Sequence, residues 1–135
     1  MIPKIIHYCW FGRNPIPAEY QRYIESWKKF LPDYEIKEWN EDNFDVNIIP
    51  FTKEAYDVKK YAYVSDYARL KILYDNGGVY FDTDVEVIRN MDDINAAGAW
   101  MAVEKHASSP GVEDQVNVGL GFSVEPHNPI VKEVM

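Results

Sequence analysis

Apolar residues crowd residues 4–11 (Lys-Ile-Ile-His-Tyr-Cys-Trp-Phe), which reads as a first strand closed by the Gly-Arg-Asn-Pro turn at residues 12–15. Residues 16–30 place Tyr20, Ile24 and Trp27 at helical spacing behind Pro17, and Pro32 and Asp33 end that helix. Tyr, Ile and Trp alternate with charged residues over 34–39, the pattern of a half-exposed strand, before a polar turn at 40–43. An irregular stretch leads to Pro50 and a short helix over 51–58. A stronger helix over 60–76 follows, with Gly77 as its expected left-handed C-cap. Its apolar residues lie almost all round, so it is expected to be largely buried. Residues 79–81 form the next strand, 85–88 another extended piece, and Asp92–Asp93 a turn. Two later strands are expected over 99–103 and 118–124, separated by a polar, mobile loop holding Ser108, Ser109, Pro110 and Gly111. Asn128 and Pro129 open a last helix, and the chain stops at Met135 only a turn or two into it, which reads as a piece of a longer protein. Strands alternating with helices predict a three-layer α/β arrangement with a mostly parallel sheet.

Composition narrows the function classes. The 135 residues fit one domain able to bury a core without covalent staples. A net charge of −8 with no basic run argues against nucleic acid or an anionic membrane surface as a partner. A phosphorylated small molecule stays open if a metal or an individual Arg neutralises it. The single cysteine, Cys9, lies in an apolar run, reads as a buried structural thiol, and admits no internal disulfide. The N-terminal apolar run is short, broken by Lys4 and His7, and lacks a cleavage signal, and no membrane span is present. The chain reads as cytoplasmic.

The densest chemistry lies over residues 76–85, Asn-Gly-Gly-Val-Tyr-Phe-Asp-Thr-Asp-Val. Asp82 and Asp84 alternate, so at a strand end both carboxylates are expected to face one way. Two adjacent anions favour a hard divalent cation, Mn²⁺ or Mg²⁺, which leaves positions open for phosphate and water. A solvated turn is the bland alternative. Asp66 and Arg69, three residues apart, share a helix face with Ala62, Leu70 and Leu73. They form either a structural salt bridge or a polar pair facing a ligand, with Arg reaching a phosphate or hydroxyl. Trp10 ends the first strand, where open α/β sheets bind ligands, and is either a stacking surface for a planar base or a core tryptophan. His7 reads as a satisfied core histidine, and His106 and His127 are isolated. No catalytic Ser–His–Asp ordering, P-loop or dinucleotide fingerprint is present.

Together the opening residues 2–12, Glu25-Ser26-Trp27, Leu31-Pro32-Asp33-Tyr34, Ser65-Asp66-Tyr67-Ala68-Arg69 and Gly77-Gly78-Val79-Tyr80-Phe81-Asp82-Thr83-Asp84 resemble the DXD-containing glycosyltransferases of family 32. That group holds capsular-polysaccharide and mannosyltransferase-like enzymes. More distantly the chain is similar to the catalytic domains of large clostridial glucosylating toxins. The resemblance spans nearly the whole chain. It implies a GT-A fold, residues 1–135 being the nucleotide-sugar-binding part of one domain with its C-terminal remainder absent. It also implies a nucleotide-sugar donor (UDP-sugar first), a saccharide acceptor such as a growing surface polysaccharide, and transfer with retention of configuration. On the same resemblance, Trp10 stacks on uracil and Ser65 lies near the nucleoside. Asp66 and Arg69 bind sugar hydroxyls and the phosphate region, and Tyr80 approaches ribose or phosphate. Asp82 and Asp84 serve catalysis through the metal.

Two other readings stand beside it. A nucleotide- or sugar-binding relic without catalysis fits the same residues. A haloacid-dehalogenase-type phosphatase also sets Asp-x-Asp behind a hydrophobic strand. It calls for Thr or Val where this chain has Glu86, and puts the motif on the first strand.

Overall fold

A computed structural model describes residues 2–101, 103–105, 115–116 and 121–135. The elements in order are β1 (Ile5–Cys9), α1 (Ala18–Phe30), β2 (Glu35–Trp39), α2 (Pro50–Asp57), α3 (Tyr61–Asn76) and β3 (Gly78–Tyr80). Then come α4 (Asp92–Ala96), β4 (Trp100–Met101), β5 (Val103–Lys105), β6 (Gln115–Val116), β7 (Phe122–Val124) and α5 (Pro129–Val134).

The main sheet has the order β2-β1-β3-β7-β4, and β5 pairs with β6 in a separate ribbon. β1 pairs in parallel with β2 and β3, while β7 runs antiparallel to β3 and to β4. Parallel central strands are buried on both faces, and residues 6–9 of β1 are. Ile6, Tyr8, Val79 and Phe81 join Ile24, Trp27 and Leu31 of the α1 side in one core. Cys9, Tyr80, Phe122 and Val124 pack with Val64, Ala68, Ile72 and Leu73 of α3 and Val131 of α5 in the other. The result is the predicted α/β/α layering. No helix among the described residues is long and apolar enough to cross a membrane.

His7 is the expected core histidine, 1% exposed. Its Nε2–H donates to the Gly77 carbonyl at 2.9 Å, and its Nδ1 accepts the Trp39 indole N–H at 3.0 Å. That arrangement requires the neutral ring, and burial, with Lys37 nearby, lowers the pKa to about 4 against the bond to Gly77.

Several local expectations change. Gly77 has φ 68 and ψ −177, which is glycine-only backbone outside the left-handed helical well. A Cβ there would meet the Pro126 backbone nitrogen at 2.7 Å. α3 buries one stripe, and Tyr63 stays half exposed, because tyrosines reach past the core edge and keep their hydroxyls wet. Residues 85–88 form no strand; they run as an extended coil under α1, with Val85 and Val87 turned inward and Ile88 outward. Asp92 and Asp93 begin the short helix α4, its start set by Asn90 Oδ1 accepting the Asp92 N–H at 2.8 Å. The expected strand over 99–103 divides between the main sheet and the ribbon. The final helix stands as predicted, with Asn128 Oδ1 capping the Ile130 N–H at 2.9 Å. The loop at 108–111, His106 and residues 118–120 lie outside the described residues.

Candidate functional site

Parallel pairing brings the carboxyl ends of β1 and β3 to one edge of the sheet, so the chain just beyond each arrives at the same place. Trp10 follows β1, Asp82 and Asp84 follow β3, and α3 crosses beside them carrying Ser65, Asp66 and Arg69. All six line one cleft of about 400 Å³. Residues separated by more than 70 positions thus share one wall system.

The aspartates do not sit on the strand itself. The last ladder bond on this side runs from Phe81 N–H to the His7 carbonyl at 3.1 Å, after which Val85 N–H closes a turn onto the Asp82 carbonyl at 3.1 Å. Both carboxylates nevertheless open onto the cleft. Partial burial raises the Asp82 pKa, and the negative charges of Asp84 and Asp66 add to that, against the Tyr80 hydroxyl and the charge of Arg69. A site that penalises its own anion in this way gains from a cation.

Tyr80, expected near ribose or phosphate, is 1% exposed and does not line the cleft. Its hydroxyl donates to Asp82 Oδ1 at 2.8 Å, so it orients a carboxylate from beneath. Burial foremost, with the charges of Cys9 and Asp82 behind it, raises its pKa well above the ordinary tyrosine range.

Arg69 lies 15% exposed with Nη2 3.3 Å from Asp66 Oδ1, and among the described residues its buried Nε has no hydrogen-bond partner. A buried, unpartnered guanidinium donor beside a cleft is a ready contact for an oxyanion. Ser65 Oγ donates to the Tyr61 carbonyl at 3.3 Å. Trp10 is half-buried, its indole N–H donates to the Asn14 carbonyl at 2.6 Å, and its ring meets Tyr20 edge-on at 6.1 Å. Cys9 adjoins the cleft, but burial pushes its thiol up to about 12, the range of an inert structural cysteine.

Among the described residues no group of three or more His, Cys, Asp and Glu side chains converges to hold a metal. Two carboxylates with open positions for phosphate and water nonetheless match the needs of Mg²⁺ or Mn²⁺, which rarely take a full protein cage. The oxygen-only donor set and the raised Asp82 pKa fit such an ion. The sequence reading missed Asn14, Tyr20 and Tyr61, which also line the cleft. A turn directly after a strand pointing at the sheet edge was the available signal for Asn14.

Residues 17–100 match the model of the glycosyltransferase sugar-binding region containing a DXD motif. The chain belongs to this family. Within the DXD glycosyltransferase region, Asp82-Thr83-Asp84 is the namesake motif, and the matched span also takes in Ser65, Asp66 and Arg69 but not Trp10. The chain is 36% identical over 111 residues to the uncharacterized glycosyltransferase L373 of Acanthamoeba polyphaga mimivirus, across 78% of this chain and 44% of that protein. It is 32% identical over 126 residues to inositol phosphoceramide mannosyltransferase 3 of Schizosaccharomyces pombe, across 90% of this chain and 33% of the relative. The chain therefore spans less than half the length of these curated relatives. Among solved structures, the PaToxG glycosyltransferase superposes with a TM-score of 0.69 at 20% identity, covering 97% of this chain and 58% of that one. At that identity the likeness speaks for the fold, which is GT-A-like as the sequence reading expected.

Proposed function

We propose that this chain forms the donor-binding part of a metal-dependent, retaining glycosyltransferase that takes a nucleotide-sugar, with a UDP-sugar as the first candidate. The observation that carries the reading is the convergence of Asp82, Asp84, Arg69 and Trp10 on one cleft. Trp10 offers its indole face to a planar base, a contact of about 1–3 kcal/mol for nucleic-acid bases on aromatic rings. Arg69 reaches the diphosphate with its guanidinium, while Asp66 accepts sugar hydroxyls and steadies that group. Ser65 lies on the nucleoside side. Asp84 and Asp82 would hold Mn²⁺ or Mg²⁺, with Tyr80 fixing the Asp82 carboxylate from below. When bound, the cation stabilises the charge gathering on the departing nucleoside diphosphate.

On this reading, residues 1–135 are one part of a longer GT-A domain whose acceptor side lies elsewhere in the protein. The lone buried Cys9 suits a reducing, cytoplasmic setting. A saccharide acceptor, such as a surface polysaccharide, follows from the family resemblance. The names of the fission-yeast relatives add a mannose donor and an inositol phosphoceramide acceptor to the compounds to be screened.

The test is thermal. Mass action predicts that UDP raises the melting temperature when Mn²⁺ is present, by about 2.7 kcal/mol of added stability at a hundredfold excess over Kd. A shift of the same size in chelator refutes the metal-linked reading, and the absence of any shift refutes the donor site. Turnover of a nucleotide-sugar panel by the full-length protein then separates an enzyme from a binding relic.

A further inference from the structure

Glu41 stands in the turn just after β2 and, because β2 pairs in parallel with β1, beside the turn that follows β1. Its side chain is only 10% exposed. Oε2 accepts the Gly12 N–H at 2.7 Å and the Tyr56 hydroxyl at 2.8 Å, while Oε1 lies 3.8 Å from Arg13 Nε with no hydrogen-bond partner among the described residues. One carboxylate thus ties the β1 turn to α2.

That turn needs holding. Gly12 has φ 104 and Arg13 φ 64, two consecutive residues in backbone that side chains disfavour. A Cβ on Gly12 would strike the Tyr61 ring at 2.5 Å, so the turn lies flat against that ring. The Tyr56 and Tyr61 rings are themselves 5.5 Å apart. The same turn carries Asn14, whose carbonyl receives the Trp10 indole N–H, and Trp10, Asn14 and Tyr61 all face the cleft. Glu41 itself does not line the cleft.

We infer that Glu41 is a positioning residue for the nucleoside side of the cleft. It fixes the turn at residues 12–14 against Tyr56 and Tyr61 and, through Asn14, sets the plane that the Trp10 indole offers to a base. The inference rests on the donor-site reading above and adds to it a residue that never touches the ligand. A neutral amide at position 41 can set its one oxygen in the place of Oε2, but both bonds then lose their charge assistance and the NH2 group faces the Arg13 guanidinium. The turn is then held more weakly, and the orientation of Trp10 with it.

The experiment measures binding of two probes by calorimetry, UDP with Mn²⁺ and inorganic pyrophosphate with Mn²⁺, to the protein and to its Glu41→Gln and Tyr56→Phe variants. UDP has a base to be stacked, and pyrophosphate has none. Glu41→Gln is expected to weaken UDP about tenfold and Tyr56→Phe less, with pyrophosphate affinity unchanged in both. Parallel losses for both probes, or no loss for either, overturn the inference and leave the donor site standing. Should Glu41→Gln not fold, Tyr56→Phe decides alone, since it deletes one hydroxyl from a partly exposed ring. A wild-type protein that fails to bind either probe removes the donor-site reading and this inference together.

Discussion

The indole N–H of Trp27 donates to the carbonyl of Val85 at 2.8 Å, one residue beyond Asp84. Next to it, Ser26 Oγ accepts the Val87 N–H at 2.9 Å. Helix α1 therefore grips the segment that emerges from the aspartate turn, on the side of the sheet away from α3. This gives Ser26 and Trp27 a physical purpose that spacing alone does not reveal. Ser26→Ala leaves the Val87 N–H without its partner beneath α1, which costs about 1–3 kcal/mol. Urea unfolding of that variant checks the loss, and UDP affinity in Mn²⁺ should fall as well because the turn is no longer pinned.

Asp84 is exposed, and its carboxylate makes no hydrogen bond or ion pair with other described residues. Asp84→Asn is therefore expected to leave the melting temperature within about 2 °C, as surface substitutions do. Mn²⁺-dependent UDP binding should disappear. Unchanged UDP affinity in this variant would argue against a metal role for the residue.

Trp10 is half-buried and meets Tyr20 only edge-on. Trp10→Ala should weaken nucleotide binding about tenfold or more, the range of a lost base–aromatic stack. The apparent affinity for Mn²⁺ in the presence of pyrophosphate should hold. If chemical unfolding instead showed a loss of about 3–5 kcal/mol with nucleotide affinity intact, the side chain would be core packing.

His7 predicts an acid dependence of stability. Its folded pKa of about 4 lies below the ordinary histidine value of 6.5. A depressed folded pKa means that the unfolded chain takes the proton first, so stability is full above the unfolded pKa and declines as pH falls toward the folded one. Between about pH 6.5 and 4 this group should remove about 3 kcal/mol. Unfolding curves across that window test it, and His7→Gln, though less stable throughout, should show a shallower slope.

Much of the scaffold was legible because its signals are local. Pro17, the paired glycines after α3 and Asn128-Pro129 each mark an element boundary by their own backbone chemistry, and the Ile24–Trp27 spacing marks the buried face of α1. What misled was periodicity without context. Val85-Glu86-Val87-Ile88 alternates like a strand, yet its backbone partners are side chains of α1, some 60 residues earlier. Asp82 and Asp84 stand past the end of the strand, as their spacing behind residues 79–81 predicts, but it is a turn and not strand alternation that delivers both to the cleft. The convergence of Trp10 with Arg69 is implied only by the family resemblance, because no local signal relates a strand end to a helix face 59 positions later. The burial of Tyr80 beneath Asp82 is not legible, because its Tyr-x-Asp spacing looks the same whether the ring faces ligand or core. Glu41 sat inside an ordinary polar turn, and only the register of β1 against β2 exposes its contacts.

Every described residue on the cleft wall falls between Cys9 and Asp84, and the described chain after that point contributes none. On the proposed reading, sequence beyond Asp84 could change, and the acceptor with it, without disturbing the described wall of the donor cleft.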